Sequence, residues 1–193
     1  MLLQKRFYLV KRVISACLLF LTTTLISDPL NSAEPSVFTE THDTKQAPLE
    51  VKNNQNFVED VKTFLDTEYK KLQDKILEFA FSFLGQGYKF GASAKSAKTD
   101  CSLYTKNVFA KLGIDLPRTS FEQSNLGKLV SKDELQVGDL LFFRTYKRTP
   151  SHVGIYIGDN QMIHASFNSN EVKIDSLDKK YYKDRFLFAK RVI

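Results

Sequence analysis

The chain has 193 residues, 42% of them hydrophobic, which is enough to bury the core of one ordinary domain. Its formal net charge of +6 falls to +3 without the basic N-terminal stretch, because that stretch holds four basic residues and one acidic residue and leaves 24 basic against 21 acidic residues. A charge of +3 is too small for the basic groove of a nucleic-acid-binding domain, so no nucleic-acid partner is expected.

The first 33 residues follow the order of a secretory signal, with two basic pairs, the apolar run 13–26, and then small and polar residues. We therefore expect export to the periplasm or cell envelope, with residues 1–33 serving as a signal peptide or an N-terminal anchor. Residues 14–17 also resemble a lipid-attachment box, although Cys17 lies near the start of the apolar run, which such a box normally follows. Membrane contact is expected only through this anchor or lipid.

Residues 34–55 contain two prolines and many polar residues without apolar periodicity, which is typical of a flexible linker. The folded domain is predicted over residues 56–193. From Phe57 to Phe83 the apolar residues recur at helical spacing, which predicts one long helix or two consecutive helices ending near Gly85.

A second helix is predicted from Asp100 to Leu112, because Thr99 or Asp100 can cap its start and Gly113 can end it. Cys101 would then lie in the first helical turn. A short helical turn is expected at residues 120–125.

Beyond Gly138 the pattern changes to short runs rich in β-branched and aromatic residues. The predicted strands are Leu140–Phe143, Val153–Ile157, Met162–Ala165, Val172–Ile174 and Arg185–Val192. Helices followed by antiparallel strands predict an α+β domain in which a helix packs on the sheet.

Cys101 is the only thiol that remains if the signal is removed after Cys17. A lone cysteine is often a small buried hydrophobe. At a helix N-terminus, however, free backbone N–H groups and the helix dipole favour the thiolate, and the same N–H groups can stabilise an oxyanion. This position predicts a reactive thiol.

Residues 152–164 read as a β-hairpin with Gly158-Asp159-Asn160 as a three-residue turn. A register with Ile157 opposite Gln161 would pair Ile155 with Ile163 and would place His152 and His164 diagonally on one face. Gly154, between them, would leave room for both rings.

Cys101, His152 and His164 can supply a nucleophile, a base that accepts its proton, and a group that orients the base. The remaining histidine of the chain, His42, falls in the predicted linker. Structural histidines are a common alternative, and one Cys with two His could also bind zinc. The chain lacks a Cys-x-x-Cys pair, a glutamate beside these histidines, a nucleotide-binding loop and a Gly-x-Ser-x-Gly motif, so no metal or organic cofactor is expected.

Six segments between residues 80 and 192 resemble the NlpC/P60 family of papain-like cysteine peptidases, and most of all the small murein endopeptidases of the Gram-negative envelope. In the family's order they are Gly85-Gln-Gly-Tyr-Lys-Phe-Gly91, Thr99-Asp-Cys-Ser102, Leu116-Pro-Arg-Thr-Ser120 with Gln123, Val137-Gly-Asp-Leu-Leu-Phe-Phe143, Ser151-His-Val-Gly-Ile-Tyr-Ile-Gly158 and Met162-Ile-His-Ala-Ser166.

The resemblance implies a papain-like NlpC fold and hydrolysis of amide bonds in peptidoglycan stem peptides or cross-links. It also implies that Tyr88 lines the site and assists the oxyanion, and that Asp100 and Ser151 contact a substrate amine. Two of these residues have a simpler interpretation: Tyr88 can serve only as packing and Asp100 only as a helix cap. Arg118 is interpreted as a structural hydrogen-bonding residue.

One departure from the family is Leu103, where a glycine usually follows Asp-Cys-Ser. We expect its side chain to narrow the substrate groove and alter specificity. The leading interpretation is a cysteine endopeptidase of peptidoglycan that acts through an acyl-enzyme. The alternatives are a non-catalytic wall-binding or scaffold protein of the same fold, and an amidase or acyltransferase with another acyl substrate.

Overall fold

The computed structural model describes residues 53–193. The predicted signal, Cys17, His42 and most of the predicted linker lie outside the described residues. Helix α1 spans Asn53–Phe81 as one helix and begins three residues before the predicted domain start. Its C-terminal half enters the core, where Ile76 and Ala80 are fully buried. None of the helices in residues 53–193 is both long and apolar enough to cross a membrane.

Helix α2 spans Cys101–Ala110, so Cys101 lies in its first turn, as predicted, and the helix ends two residues before the predicted end at Leu112. Asp100 caps the helix, because its side chain accepts a hydrogen bond of 2.9 Å from the backbone N–H of Leu103. Helix α3, Ser120–Gln123, begins with a capping box between Thr119 and Glu122 and ends two residues before the predicted helical turn does.

Six antiparallel strands form one sheet in the spatial order β1, β6, β2, β3, β4, β5. Their bounds are β1 Lys128–Val130, β2 Leu140–Phe143, β3 His152–Gly158, β4 Gln161–Ser166, β5 Glu171–Ser176 and β6 Phe186–Arg191. Strand β1 and the short helix α4, Lys180–Lys183, were not predicted. Both are too short to carry a clear periodic pattern.

The hairpin of β3 and β4 differs from the prediction at its turn. Ile155 does pair with Ile163, but Gly158 rather than Ile157 lies opposite Gln161. The turn consists of Asp159 and Asn160, both at positive φ, and a bulge after Tyr156 takes up the extra residue. The predicted three-residue turn was therefore wrong, while the pairing closer to the histidines was correct.

The two faces of the sheet bury different clusters. On one face the strands pack against α1 and α2 through residues such as Ile155, Ile163, Tyr104 and Phe109. On the other face Phe143 and Met162 pack with Tyr182 of α4. His152 and His164 alternate along their strands with residues of the first cluster, so their side chains lie on the face of the second cluster, where His152 packs on Phe143 and His164 on Tyr182.

Candidate active site

A cavity of about 340 Å³ opens where the N-terminus of α2 meets β3 and β4. Its walls include the three residues predicted to be catalytic, together with serines and several aromatic side chains. The residues that line the cavity include Tyr88, Phe90, Cys101, Tyr146, Ser151, His152, His164, Phe167 and Tyr182. The fold therefore brings the predicted nucleophile and both histidines to one pocket.

Cys101 is 8% exposed. Burial, followed by the Asp100 carboxylate, raises the pKa of its thiol to about 11, although hydrogen bonds from the backbone of Val153 and Ser102 act in the opposite direction. The expectation that the helix N-terminus would favour the thiolate is therefore not met in the resting protein, because desolvation outweighs it. The contact with Val153 places the sulfur beside the first residues of β3.

The two histidines are hydrogen-bonded to each other. Nε2 of His152 lies 2.9 Å from Nδ1 of His164, and the rings are nearly perpendicular. Burial is the main cause, and the neighbouring His164 the second, that lowers the pKa of His152 well below 6.5. Burial also lowers the pKa of His164. Both rings are therefore neutral at neutral pH, and the arrangement can hold one imidazole in a defined orientation.

Two further residues that sequence reasoning missed lie behind His164. Its Nε2 is 3.1 Å from Oδ2 of Asp175 and 3.2 Å from the hydroxyl of Tyr182. A usable signal was present in the alternation of residues 172–175, which puts Lys173 and Asp175 on one face of β5. Finding the contact also required the register of β4 and β5. In that register His164 faces Lys173, and Asp175, two residues further along β5, lies diagonal to His164.

Tyr88 and Ser151 both line the cavity, as the resemblance implied. Burial, followed by Cys101, raises the pKa of Tyr88, so its hydroxyl remains a hydrogen-bond donor. The hydroxyl of Ser151, which is 2% exposed, accepts a 2.8 Å hydrogen bond from the backbone N–H of Thr145 and so supports the loop that precedes β3. Their roles toward a substrate remain predictions.

Asp100 is not among the residues that line the cavity. Its carboxylate caps α2 and forms an ion pair with Arg118, which also donates a 3.0 Å hydrogen bond to the Ser102 hydroxyl and a 2.6 Å bond to the carbonyl of Ala92. Asp100 therefore holds the start of the helix in place, and Arg118 has the structural contacts expected of it.

Leu103 is 3% exposed and does not line the cavity. Leu103 is therefore buried and forms no part of the described cavity wall, and the change in specificity expected of it stays a prediction. Exposed aromatic rings form the rim instead: Phe90 packs edge-to-face on Tyr146, and Phe167 packs edge-to-face on Tyr88.

The zinc alternative requires at least three side chains that are arranged to coordinate the metal. Within residues 53–193, no group of three or more His, Cys, Asp or Glu side chains is arranged to hold a metal ion.

Comparison with known proteins identifies similar sequences across this domain. The NlpC/P60 family profile matches residues 85–191. The murein DD-endopeptidase MepS/murein LD-carboxypeptidase of Escherichia coli K12 is 39% identical over 123 residues, which are 63% of this chain and 64% of that protein. A probable endopeptidase, the NlpC homolog of Haemophilus influenzae, is 39% identical over 62% of this chain and 63% of its own. The chain thus spans slightly less than two thirds of these relatives.

Solved structures agree with the fold. An NlpC/P60 family protein from Bacillus cereus superposes with a TM-score of 0.57 at 34% identity, over 62% of this chain and 40% of that one. The peptidoglycan hydrolase RipB of Mycobacterium tuberculosis superposes with a TM-score of 0.56 at 27% identity, over 64% of this chain and 66% of RipB. The predicted fold class, α+β with a cysteine-bearing helix on an antiparallel sheet, is confirmed.

Proposed function

This chain belongs to the NlpC/P60 family, and on that premise we propose that it is a cysteine endopeptidase that hydrolyses amide bonds of peptidoglycan stem peptides or cross-links. The observation that carries the proposal is the meeting of Cys101, His152 and His164 at one cavity, with the two imidazoles hydrogen-bonded. Similarity to the murein endopeptidase MepS supports peptidoglycan as the substrate class.

In the proposed reaction, His152 removes the thiol proton as Sγ of Cys101 attacks the scissile carbonyl carbon. Backbone N–H groups at the start of α2 and the Tyr88 hydroxyl stabilise the oxyanion. His152 then protonates the leaving amine as the C–N bond breaks, leaving an acyl group on Cys101. A water molecule, deprotonated by His152, attacks the thioester and releases the carboxylate product and the free thiol.

The remaining parts of the chain complete the proposal. Residues 1–33 direct export to the cell envelope as a signal peptide or anchor, residues 34–55 act as a linker, and residues 56–193 form the catalytic domain. The substrate lies outside the cytoplasm, so an exported enzyme is consistent with its target.

The first test is digestion of purified peptidoglycan by the full chain and by a Cys101→Ala variant, with fragments identified by mass spectrometry. We expect products from the unaltered chain and a loss of about 10⁴-fold or more in kcat for the variant, because the nucleophile is removed. Loss of cross-linked dimers would identify a D,D-endopeptidase, and shortened stems would identify cleavage of a D,L bond. A Cys17→Ser variant should digest like the unaltered chain.

Two outcomes would contradict the proposal. Wall binding by both proteins without any product would favour the scaffold alternative. Turnover of small amides without turnover of wall fragments would favour an amidase with another acyl substrate.

A further inference from the structure

The polar network of the site continues past His164 into β5 and α4. Asp175 is 6% exposed, and its Oδ2 lies 3.1 Å from Nε2 of His164, which is itself 1% exposed. The hydroxyl of Tyr182 donates a 2.8 Å hydrogen bond to the same carboxylate oxygen. A buried carboxylate in this position contacts the histidine that contacts the proposed base.

The surroundings of Asp175 keep it ionised. Lys179 pairs with Oδ1, and Nζ of Lys173 lies 3.4 Å from the same oxygen. Burial by itself raises the pKa of Asp175, but hydrogen bonds from His164, Lys179 and Tyr182 outweigh it and hold the pKa well below its usual range. At any pH near neutral the carboxylate therefore only accepts hydrogen bonds.

An acceptor at this point determines which nitrogen of each imidazole carries a proton. Facing a carboxylate, Nε2 of neutral His164 must carry the hydrogen, so its Nδ1 is an acceptor. Nε2 of His152, 2.9 Å from that Nδ1, must then be the donor. The lone pair that remains on His152 is at Nδ1, which is the one nitrogen free to take a proton from a thiol.

We propose that Asp175 is a positioning residue that, through His164, fixes the tautomer in which His152 can act as a base, with Tyr182 holding the carboxylate in place. This inference rests on the proposed function for its catalytic consequence, but the tautomers themselves are independent of any substrate. When His152 becomes an imidazolium during the reaction, the negative charge of Asp175 also stabilises it across His164.

The test is an Asp175→Asn variant of the full chain labelled with ¹⁵N-histidine. With three histidines in the chain, the spectrum is simple, and a His42→Gln variant assigns the third ring. We expect the Nε2–H tautomer for His152 and His164 in the unaltered chain. In Asp175→Asn the amide oxygen should turn to the lysines and the NH₂ group to His164, which then requires the Nδ1–H tautomer. The hydrogen bond between the rings would then run from His164 to Nε2 of His152, and His152 would carry its own proton at Nδ1.

Turnover of peptidoglycan should respond in parallel. We expect kcat to fall about 100-fold with little change in KM, which is less than the ~10⁴-fold effect of the matching change in a Ser-His-Asp triad because one more imidazole intervenes. Asp175→Glu, which restores the charge, should recover most of the activity and the Nε2–H tautomers. Asp178→Asn is the matched control, because this nearby carboxylate pairs with Lys183 and Asn160 and touches neither histidine.

The inference is overturned if Asp175→Asn keeps both Nε2–H tautomers and a kcat within twofold of the unaltered chain. If that variant does not fold, the tautomers measured in the unaltered chain still test the proposal, because an Nδ1–H tautomer at His164 would exclude it. If the unaltered chain has the expected tautomers but does not digest peptidoglycan, the proposed function fails while the assignment of the hydrogen-bonded chain stands.

Discussion

At the scale of single residues, burial acts on both groups that exchange a proton in the proposed reaction. It raises the pKa of the Cys101 thiol to about 11 and lowers the pKa of His152 well below 6.5. Each shift disfavours the charged form, so the resting pair is a neutral thiol beside a neutral imidazole. His152 then works as a general base during attack and needs no preformed thiolate–imidazolium pair.

The first prediction at this scale concerns alkylation of Cys101 by iodoacetamide, measured in a Cys17→Ser variant so that Cys101 is the one thiol present. Only the thiolate reacts, and its population grows as the pH approaches the thiol pKa. We expect a rate that keeps rising above pH 8.5, with a midpoint near 11. A rate that is high and flat between about pH 6 and 8 would instead indicate a preformed ion pair.

The same measurement has a matched pair of variants. Asp100→Asn retains a good helix cap but removes a charge that raises the thiol pKa, so its alkylation midpoint should move to lower pH. Asp115→Asn removes a carboxylate that pairs with Lys106 on the surface and should leave the midpoint unchanged.

At the scale of elements, the hairpin of β3 and β4 sets the distance between the two histidines. Gly154 lies between them, and a Cβ at this position would come within 3.0 Å of Sδ of Met162 and 3.2 Å of Cβ of His164. The Met162 side chain is fully buried and has little room to move. A side chain at residue 154 would therefore displace His164.

We predict that Gly154→Ala lowers kcat roughly tenfold, because a small displacement of His164 loosens the hydrogen bond to His152. The midpoint of thermal unfolding should change little by comparison. Steady-state digestion and thermal unfolding of the same sample measure the two effects. Gly87→Ala is the control, since a Cβ there would make only ordinary contact with the Lys98 side chain at 3.4 Å. An equal loss of kcat in both variants would argue against a specific displacement of His164.

At the scale of the whole molecule, an ion pair joins the start of β2 to the end of the chain. Arg191 forms two 2.8 Å hydrogen bonds with Asp139 and a third, of 2.9 Å, with the carbonyl of Glu134. Asp139 is fully buried and also accepts from the backbone N–H of Gln136. The pair therefore ties β6 to the centre of the sheet beside the hairpin that carries the histidines.

Arg191→Met should lower the free energy of unfolding by about 3 kcal/mol, because it leaves a buried carboxylate without its cation. The Arg191 side chain is 24% exposed, which favours the lower end of the range for buried pairs. Chemical denaturation measures the change. Lys180→Met, which removes an exposed pair with Asp184, should have no measurable effect. A similar loss in both variants would show that position 191 contributes through something other than the buried pair.

Local patterns in the chain predicted most of the elements for reasons that are themselves local. Capping by Asp100 and the stop at Gly113 need only a few neighbouring residues, and the five longer strands have β-type runs of their own. Strand β1 and helix α4 could not be predicted, because each is stabilised by what it packs against. The turn at Asp159 and Asn160 was misjudged because a bulge changes the pairing without changing the composition.

The sequence by itself determined the family motifs, the helix with Cys101 in its first turn and the strands that carry His152 and His164, since each depends on residues close together in the chain. Only the tertiary structure decided that Asp175 and Tyr182 stand behind His164, that Leu103 is buried outside the cavity wall, and that desolvation raises the pKa of the Cys101 thiol. These three properties depend on strand register, packing and desolvation, to which residues far apart in the chain contribute together.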